Sequence, residues 1–378
     1  MEYINSDVVT KFSKIGQGCM GLGGELERDH HNDEQSLAAL RYGLDCGLNY
    51  IDTAEAYGAG HSEELVGEFA QGIRKELFIA SKVSPENLSP EKINISLDNS
   101  LRRLRTDYID LYQIHWPNPS IPLEDTIEAL LKARTAGKIR KLGICNYDPS
   151  DIRRISSLMS EEGLFSIQSE YNLFDRFVEQ GILPTTRELG SHFIAYSPLD
   201  KGRTTDGEAA VKLLNVISKH YSRSPAQIAL NWLVKHRGVL AIPKSINFEH
   251  IRANSTALDF VLDLDHVRLI EETCNSTPTL VDVKKIKVSI SGEGGRRVYQ
   301  TLDEALQNQL ALTPSPAELS KQLQMGNPIK PVRLVKGSIE NPDWNFELVE
   351  GRLRYWGWVI AFGYDKPIPA YVRQVTSH

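Results

Sequence analysis

Four polar side chains in the first third of the sequence have the chemistry to move a proton together. Tyr57 follows Asp52 closely in NYIDTAEAYG, and Lys82 and His115 each end a later apolar run. A phenol is a poor acid at neutral pH, but a neighbouring ammonium lowers its pKa. Asp52 can hold Lys82 in that position, and His115 can donate a hydrogen bond to a carbonyl oxygen. The set suits proton donation to a carbonyl oxygen while a hydride arrives from a cofactor.

Taken singly, these residues have simpler explanations. An Asp at the end of a strand is most often a turn or helix-cap residue, and a lone Tyr is most often a half-buried packing residue. The elements that carry them therefore decide between the two interpretations.

Apolar runs alternate with helical patterns along most of the chain, which predicts parallel βα units with right-handed crossovers. Seven strand-like runs begin at Leu48, Leu77, Tyr108, Ile139, Phe165, His192 and Val239, and an eighth is expected within residues 13–18. Eight such units over about 250 residues predict a (β/α)8 TIM barrel of α/β class. A doubly wound open sheet is the alternative, but no GxGxxG motif follows the first strand.

Polar residues follow the ends of most of these strands. Asp52, Lys82 and His115 end three successive strands, and the later strands end at Asn146, Gln168, Tyr196 and Lys244. The C-terminal ends of barrel strands carry the active site, so this pattern predicts a ring of polar groups at one end of the barrel.

Composition places the chain among ordinary globular proteins. Its 378 residues are 41% hydrophobic and 24% charged, without an apolar run long enough to span a membrane and without a basic-then-apolar leader pattern, so we expect a cytoplasmic protein. The four cysteines show no CxxC pair, which fits a reducing compartment and argues against a zinc ribbon. Residues 1–280 carry a net charge of −9 and residues 281–378 one of +3, so nucleic-acid binding is disfavoured.

Seven ordered motifs resemble the aldo-keto reductases over roughly residues 10–275: NYIDTAEAYG, SKV, YIDLYQIHWP, GICNY, QSEYN, AYSPL and IPKS. The resemblance implies nicotinamide-dependent carbonyl reduction by a catalytic tetrad of Asp52, Tyr57, Lys82 and His115. Tyr57 is then the general acid/base, Lys82 lowers its pKa, Asp52 holds Lys82, and His115 orients the carbonyl.

The resemblance also implies a cofactor site. Tyr196 corresponds to the residue that stacks on the nicotinamide, and Cys145, Asn146 and Gln168 to positions that hydrogen-bond its carboxamide, with Cys145 replacing the more usual Ser. Ser197 and Leu199 fit the pyrophosphate loop. Lys244 and Ser245 match the pocket for the adenosine 2′-phosphate, which favours NADP(H).

One departure weakens that preference. His250 stands where many NADP-preferring members have Arg, and Arg252 lies two positions on, with Asn254 completing the predicted set. NADP(H) is therefore the preferred cofactor and NAD(H) stays possible. We expect Met20 and Trp116 to line a pocket for a small carbonyl or sugar substrate, with no large lid because SPLDKGRTTDGEA is a short connection.

The remaining residues, 281–378, do not continue the barrel pattern and predict a smaller α+β domain beyond the Gly-rich stretch SISGEGGRRVYQTLDE. Glu350, Gly351, Arg352 and Arg354 precede a helix pattern whose N-terminal amides and guanidinium groups can hold a phosphate. The plainer interpretation is a solvated helix start with Trp356 and Trp358 packed beneath it.

This region resembles the ParB-like/sulfiredoxin superfamily in KPVRLV, FELVEGRLRYW and KPIPAYV. The resemblance implies nucleotide binding, for which ATP or CTP are the candidates. Sulfiredoxin chemistry needs a Cys in the phosphate loop, and none follows Cys274, which argues against that activity. A second hypothesis for the whole chain is a cofactor-sensing regulatory protein that acts through the C-terminal domain.

Overall fold

The computed structural model describes residues 2–6, 9–159, 163–200, 202, 209–274, 278–288, 299–336 and 345–373. The chain forms two compact units, Met1–Asn275 and Ser276–His378. The division falls slightly before the predicted 280/281 boundary because residues 279–281 pair with a strand near the C-terminus. Residues 201, 203–208 and 289–298, which include parts of the predicted short connection and of the Gly-rich boundary, lie outside the described residues.

The first unit is a barrel of parallel strands, which confirms the predicted fold. A hairpin of β1 (Tyr3–Ser6) and β2 (Val9–Ser13) precedes it. The eight barrel strands follow as β3 (Gln17–Gly18), β4 (Tyr50–Asp52), β5 (Phe78–Val83), β6 (Ile109–Ile114), β7 (Ile139–Cys145), β8 (Ser166–Glu170), β9 (His192–Tyr196) and β10 (Val239–Ala241). The barrel closes between its first and last strands, where the Gly16 amide donates to the Ala241 carbonyl at 2.9 Å.

The N-terminal hairpin was not predicted, and it covers the end of the barrel opposite the proposed site. Phe12 of β2 stacks on Phe78, the first residue of β5, with ring centroids 4.2 Å apart. It also meets the edge of Tyr50, the first residue of β4. The hairpin therefore fills the N-terminal mouth with aromatic side chains and leaves the strands' C-terminal ends for chemistry.

Ten helices of the described residues surround these strands: α1 (Asp33–Asp45), α2 (His61–Phe69), α3 (Pro90–Leu104), α4 (Leu123–Thr135), α5 (Pro149–Leu158), α6 (Ile182–Glu188), α7 (Ala209–Tyr221), α8 (Pro225–Lys235), α9 (Phe248–Ser255) and α10 (Leu264–Thr273). In α3, Ile93, Leu97 and Leu104 recur at helical spacing on one buried face, as expected for a helix packed on a sheet. None of the described helices is long and apolar enough to cross a membrane.

The second unit is an α+β fold with its own apolar core. Its elements are β11 (Thr279–Val281), β12 (Ile286–Val288), α11 (Leu302–Leu306), α12 (Pro316–Gln324), β13 (Val332–Lys336), β14 (Phe346–Glu350), α13 (Arg352–Phe362) and β15 (Ile368–Arg373). The strands form one mixed sheet in the order β11-β15-β13-β14-β12. Trp356 and Trp358 of α13 are buried in the core, as the plainer interpretation of this helix predicted.

Candidate active site

A buried ion pair lies at the C-terminal ends of two neighbouring strands. Lys82 of β5 is fully buried, and its Nζ lies 2.5 Å from Oδ1 of Asp52 at the end of β4. Nζ also donates to the main-chain carbonyl of Thr53 at 2.8 Å. Burial alone would lower the pKa of Lys82, but attraction by Asp52, with smaller contributions from other groups, raises it above its ordinary value. Lys82 is therefore held as a cation inside the barrel.

The second oxygen of Asp52 is also satisfied. Oδ2 accepts hydrogen bonds from Nε2 of Gln168 at 2.9 Å and from the hydroxyl of Tyr50 at 3.0 Å. A buried carboxylate requires such partners, because an unpaired charge would carry a large desolvation penalty. Gln168 was predicted to hydrogen-bond the carboxamide of a cofactor, whereas its amide N–H group donates to Asp52 in this structure.

Tyr57 stands over this pair on a one-turn 3-10 helix, Tyr57–Gly60, that follows β4. Nζ of Lys82 lies 3.4 Å from the Tyr57 hydroxyl and within 5.0 Å of the ring centroid. The charge of Lys82 lowers the pKa of the phenol, as predicted, but burial has the larger effect, so the pKa of Tyr57 is raised overall. Tyr57 is therefore held in its protonated form.

The turn that carries Tyr57 requires a glycine. Gly58 has a φ of +55°, and a Cβ built there would lie 2.1 Å from the main-chain oxygen of Gly23. The Gly58 amide donates to the Glu25 carbonyl at 3.0 Å. The loop after β3 therefore positions the Tyr57 turn.

His115 follows β6 and faces the same space. Its ring meets the Tyr57 ring edge-on, with centroids 5.6 Å apart. Burial, reinforced by the positive charge of Lys82, lowers the pKa of His115 to about 3. The imidazole is thus neutral near pH 7 and retains one N–H group that can be donated to a carbonyl oxygen.

Side-chain hydrogen bonds of Asn146, at the end of β7, reach the ends of β6 and β9 beside the four residues above. Asn146 has a φ of +65°, its Nδ2 donates to the His115 carbonyl at 3.1 Å, and its Oδ1 accepts from the Tyr196 hydroxyl at 3.0 Å. Cys145 is buried, and burial raises the pKa of its thiol. Asn146 and Tyr196 therefore lie at the mouth as predicted, while Cys145 lies within the wall.

The loop after β9 begins with another left-handed residue, Ser197, whose φ is +46°. Its carbonyl accepts from Nδ2 of Asn172 at 3.1 Å and from the Asp200 amide at 3.0 Å. Leu199 is half-buried in the same turn. Asn172, a residue that the sequence analysis missed, therefore fixes the predicted pyrophosphate loop.

The predicted phosphate-binding residues follow β10. Lys244 is exposed, and Ser245 accepts a hydrogen bond from the Asn247 amide at 3.1 Å. Asn247 caps α9, on which His250 and Arg252 are exposed and Asn254 is buried. Lys244, His250 and Arg252 are thus exposed around the first turns of α9, whereas Asn254 is buried.

Two large apolar side chains are exposed at the same end of the barrel. Met20 follows β3 and is 49% exposed, and Trp116 follows His115 and is 42% exposed. Both follow barrel strands at their C-terminal ends, and their role in a substrate pocket stays a prediction.

Several residues behind Tyr57 were not predicted. Glu63 of α2 is fully buried, and its carboxylate accepts from the Ser81 hydroxyl at 2.5 Å and pairs with Arg103 at 2.6 Å. Glu55 accepts from the Ser84 amide at 2.7 Å, which ties the Tyr57 loop to the segment after β5. The sequence held a signal for the burial of Glu63, because this residue falls on the buried face of α2.

The predicted phosphate site of the second unit has a different arrangement from the one expected. Glu350 pairs with Arg333 at 2.8 Å. Arg354 donates to the carbonyls of Lys330 and Pro331 at 2.9 and 2.8 Å, and Arg352 donates to the Val349 carbonyl at 3.0 Å. Gly351 precedes α13 with a φ of +95°. The guanidinium groups of Arg352 and Arg354 thus donate to main-chain carbonyls of the same unit.

The described residues form a parallel barrel with a buried Lys–Asp pair beneath a tyrosine and a histidine, and comparison with known proteins identifies the family. The model of the aldo/keto reductase family matches residues 14–275, and the chain belongs to that family. It is accordingly an NAD(P)H-dependent oxidoreductase.

Individual relatives agree with this assignment. Methylglyoxal reductase YeaE of Escherichia coli is 36% identical over 259 residues, which are 68% of this chain and 89% of the relative. A thermostable aldo-keto reductase crystallised with the inhibitor epalrestat superimposes with a TM-score of 0.68 at 38% identity, over 72% of this chain and all of that one. An aldo-keto reductase of Klebsiella pneumoniae, solved with NADPH, gives 0.64 at 36% identity over 69% and 91%.

Proposed function

We propose that this protein reduces a small aldehyde or ketone with NADPH, or oxidises the corresponding alcohol, with Tyr57 as general acid/base. The observation that carries the proposal is the continuous contact from Asp52 through Lys82 to the Tyr57 hydroxyl. NADPH, when bound, supplies the hydride. The chain's own residues supply the proton and the orientation.

The proposed roles follow from the charge states. Tyr57 is protonated near neutral pH and donates its proton to the carbonyl oxygen. The phenolate left behind lies beside the Lys82 cation, which stabilises it, and Asp52 keeps Lys82 charged and in place. His115, held neutral, donates its N–H to the same oxygen and orients the carbonyl.

The mouth residues fit a nicotinamide dinucleotide. Tyr196 offers a half-buried ring, Asn146 an amide, and the left-handed turn at Ser197 a loop next to them. Lys244 and Arg252 are exposed cations suited to a phosphate. We propose NADPH as the preferred cofactor, and the structures of the Klebsiella pneumoniae reductases with NADPH and NADP support this choice.

Methylglyoxal is our first candidate substrate. The name of the Escherichia coli relative indicates it, and a small dicarbonyl aldehyde suits a mouth flanked by the exposed side chains of Met20 and Trp116.

The test is a Tyr57→Phe variant assayed with methylglyoxal and NADPH. Removing the acid while keeping the ring should lower kcat by about 10²- to 10⁴-fold and leave NADPH binding, followed by nicotinamide fluorescence, unchanged. The matched control is Tyr108→Phe, directly before β6 and stacked between Arg74 and Arg140, which should retain wild-type kcat. A Tyr57→Phe enzyme with full activity would refute the assigned mechanism.

For the second unit, we propose a ParB-like/sulfiredoxin-type domain with nucleotide binding at the 350–354 turn as a second candidate function. The left-handed Gly351 directly before α13 favours nucleotide binding at this turn. The donation of Arg352 and Arg354 to main-chain carbonyls argues against nucleotide binding there. Titrating the full chain with ATP and CTP by calorimetry tests it. Saturable binding of ATP or CTP that changes the affinity for NADPH would support the regulatory hypothesis. If neither nucleotide binds, both nucleotide binding at this turn and regulation through it are rejected.

A further inference from the structure

A second cluster of ionisable side chains lies beside the barrel mouth, outside the proposed tetrad. It consists of His30, Asp33 and His61, which we call the His30 cluster. Nε2 of His61 lies 2.9 Å from both carboxylate oxygens of Asp33, and Nδ1 of His30 lies 2.9 Å from one of them. One ligand atom from each residue falls within 4.8 Å of the others. Three residues from two helices and a loop thus direct their donor atoms toward one point.

A second carboxylate orients the buried histidine of the cluster. Oε2 of Glu64 lies 2.9 Å from Nδ1 of His61, whose side chain is only 7% exposed. Arg28 in turn binds Glu64 through two hydrogen bonds of 2.6 and 3.0 Å. With Glu64 accepting from Nδ1, an ion in the cluster would replace the proton that Nε2 shares with Asp33. A carboxylate on the far ring nitrogen is the arrangement found behind metal-bound histidines.

We propose that the His30 cluster binds a divalent transition-metal ion of the zinc type. Two imidazole nitrogens and one carboxylate are ligands that zinc prefers, and three protein ligands leave a fourth position for water. Ligands about 2.0–2.2 Å from a zinc ion lie about 3.3 Å from one another, so the two 2.9 Å separations from Asp33 need only widen by a few tenths of an ångström. All three ligand atoms already lie within 4.8 Å of one another.

The carboxylates around the His30 cluster offset part of the charge that an ion would add, although Arg28 pairs with one of them. Asp33 begins α1 and His61 begins α2, and the partial positive charge of a helix N-terminus opposes a cation. The carboxylates of Asp33 and Glu64 lie in those same first turns and counter it. The imidazole of His61 also packs against Gly23, where a Cβ would lie 2.7 Å from the ring, so the ligand is held by the loop after β3.

Binding there would link the segments that shape the mouth. Asp33 follows the loop that contains Met20, and His61 lies four residues after Tyr57. The same loop already contacts the Tyr57 turn through the Gly58 amide and the Glu25 carbonyl. An ion in the cluster therefore joins this loop to the helix that begins at the end of that turn.

A second histidine–aspartate cluster in the described residues provides an internal comparison. His220, Asp263 and His266 also come close together, but the Tyr221 hydroxyl lies 2.8 Å from both Nδ1 of His266 and a carboxylate oxygen of Asp263. The Tyr221 hydroxyl is thus bonded to the ligand atoms of His266 and Asp263 that an ion would need. We therefore favour the His30 cluster.

The experiment is zinc binding by the full-length, untagged, chelator-treated chain, measured by calorimetry with ZnCl2. We expect one equivalent to bind, and we expect His30→Ala to weaken the affinity at least about tenfold. His30 is the exposed ligand, so this variant keeps the buried His61–Asp33 contact and should fold. The matched control is His31→Ala, the exposed neighbour outside the cluster, which should bind zinc as the wild type does.

Cobalt provides an independent readout, because the visible absorption of bound Co²⁺ reports nitrogen and oxygen coordination. The wild type and His31→Ala should give the same spectrum, and His30→Ala should lose it. The proposal fails if the wild type shows no saturable zinc binding, if His30→Ala binds as tightly as His31→Ala, or if His266→Ala abolishes the binding instead. None of these outcomes depends on the reductase mechanism.

Discussion

At the scale of single residues, the buried Asp52–Lys82 pair dominates the electrostatics of the candidate site. Such pairs add little net stability, because desolvation of both charges offsets their attraction, but loss of one partner leaves an unpaired buried charge. Here Asp52 accepts hydrogen bonds from two further donors, Gln168 and Tyr50, on the carboxylate oxygen that does not contact Lys82. The pair therefore fixes a positive charge beneath the Tyr57 hydroxyl.

The low pKa of His115 predicts a pH effect on stability. The unfolded chain takes up a proton on this histidine below about pH 6.5, whereas the folded chain does so only near a pKa of about 3. The unfolded state then binds more protons, so the free energy of unfolding should fall as pH drops from 6.5 toward 3. His115→Gln should lose less stability than the wild type between pH 7 and pH 5 in urea titrations.

The matched control for this histidine is His31→Gln, an exposed position that should retain the wild-type pH dependence. The pH profile of the wild-type reduction rate should also show no inflection near pH 6.5 that is caused by His115. Any inflection there should persist in His115→Gln. Equal acid sensitivity of wild type and His115→Gln would contradict the low pKa of the His115 imidazole.

The position of Lys244 predicts that the enzyme prefers NADPH to NADH. A charge-assisted contact with a phosphate contributes about 1.5–3 kcal/mol, which corresponds to a tenfold or larger change in affinity. Lys244→Ala should therefore raise KM for NADPH at least about tenfold and leave KM for NADH nearly unchanged. Lys219→Ala, an exposed lysine on α7, is the control. Equal losses with both cofactors would place Lys244 away from the 2′-phosphate.

At the scale of elements, the site depends on the turns that follow the strands more than on the strands themselves. All six residues of β5 are buried, so its register fixes Lys82 rigidly. Tyr57 instead lies on a turn held by contacts with the loop after β3. A change in this turn can therefore displace the Tyr57 hydroxyl while the barrel stays folded.

Gly58 tests this dependence. Gly58→Ala would place a methyl group against the Gly23 carbonyl and displace the Tyr57 turn, so kcat should fall on the order of 10²-fold. Gly72→Ala is the control, because Gly72 also has a positive φ, +80°, but an added Cβ meets open space. That variant should lose about 1–2 kcal/mol of stability and keep its kcat. Equal kcat values for the two variants would show that the turn does not position Tyr57.

At the scale of the whole molecule, the chain combines two units with separate apolar cores. The first carries the acidic excess and the second a small basic one. Because each unit has its own core, we expect the units to unfold in separate transitions. A single two-state model then does not describe the unfolding of the whole chain.

Core truncations in each unit should shift different transitions. Leu233→Ala in α8 and Leu334→Ala in β13 each remove a fully buried side chain and should each cost about 2–5 kcal/mol. Only Leu233→Ala should lower the temperature at which reductase activity is lost. Leu334→Ala should lower only a second transition, followed by circular dichroism. One shared transition that responds to both variants would show that the units unfold together.

The sequence by itself determined the barrel and the positions of its strands. Parallel strands are buried on both faces and read as apolar runs, so the starts of β4 to β10 were predicted to within two residues. The polar residues at the strand ends, including Asp52, Lys82 and His115, followed from the same pattern. The role of each in catalysis stays a prediction.

Only the tertiary structure decided which distant groups meet. The Gln168–Asp52 hydrogen bond joins strands more than a hundred residues apart, and the His30 cluster joins a loop and two helices. The net rise in the pKa of Tyr57 depends on how much water the folded barrel excludes. Local patterns encode periodicity and chain direction, whereas side-chain partners and desolvation arise from packing between segments that are remote in sequence.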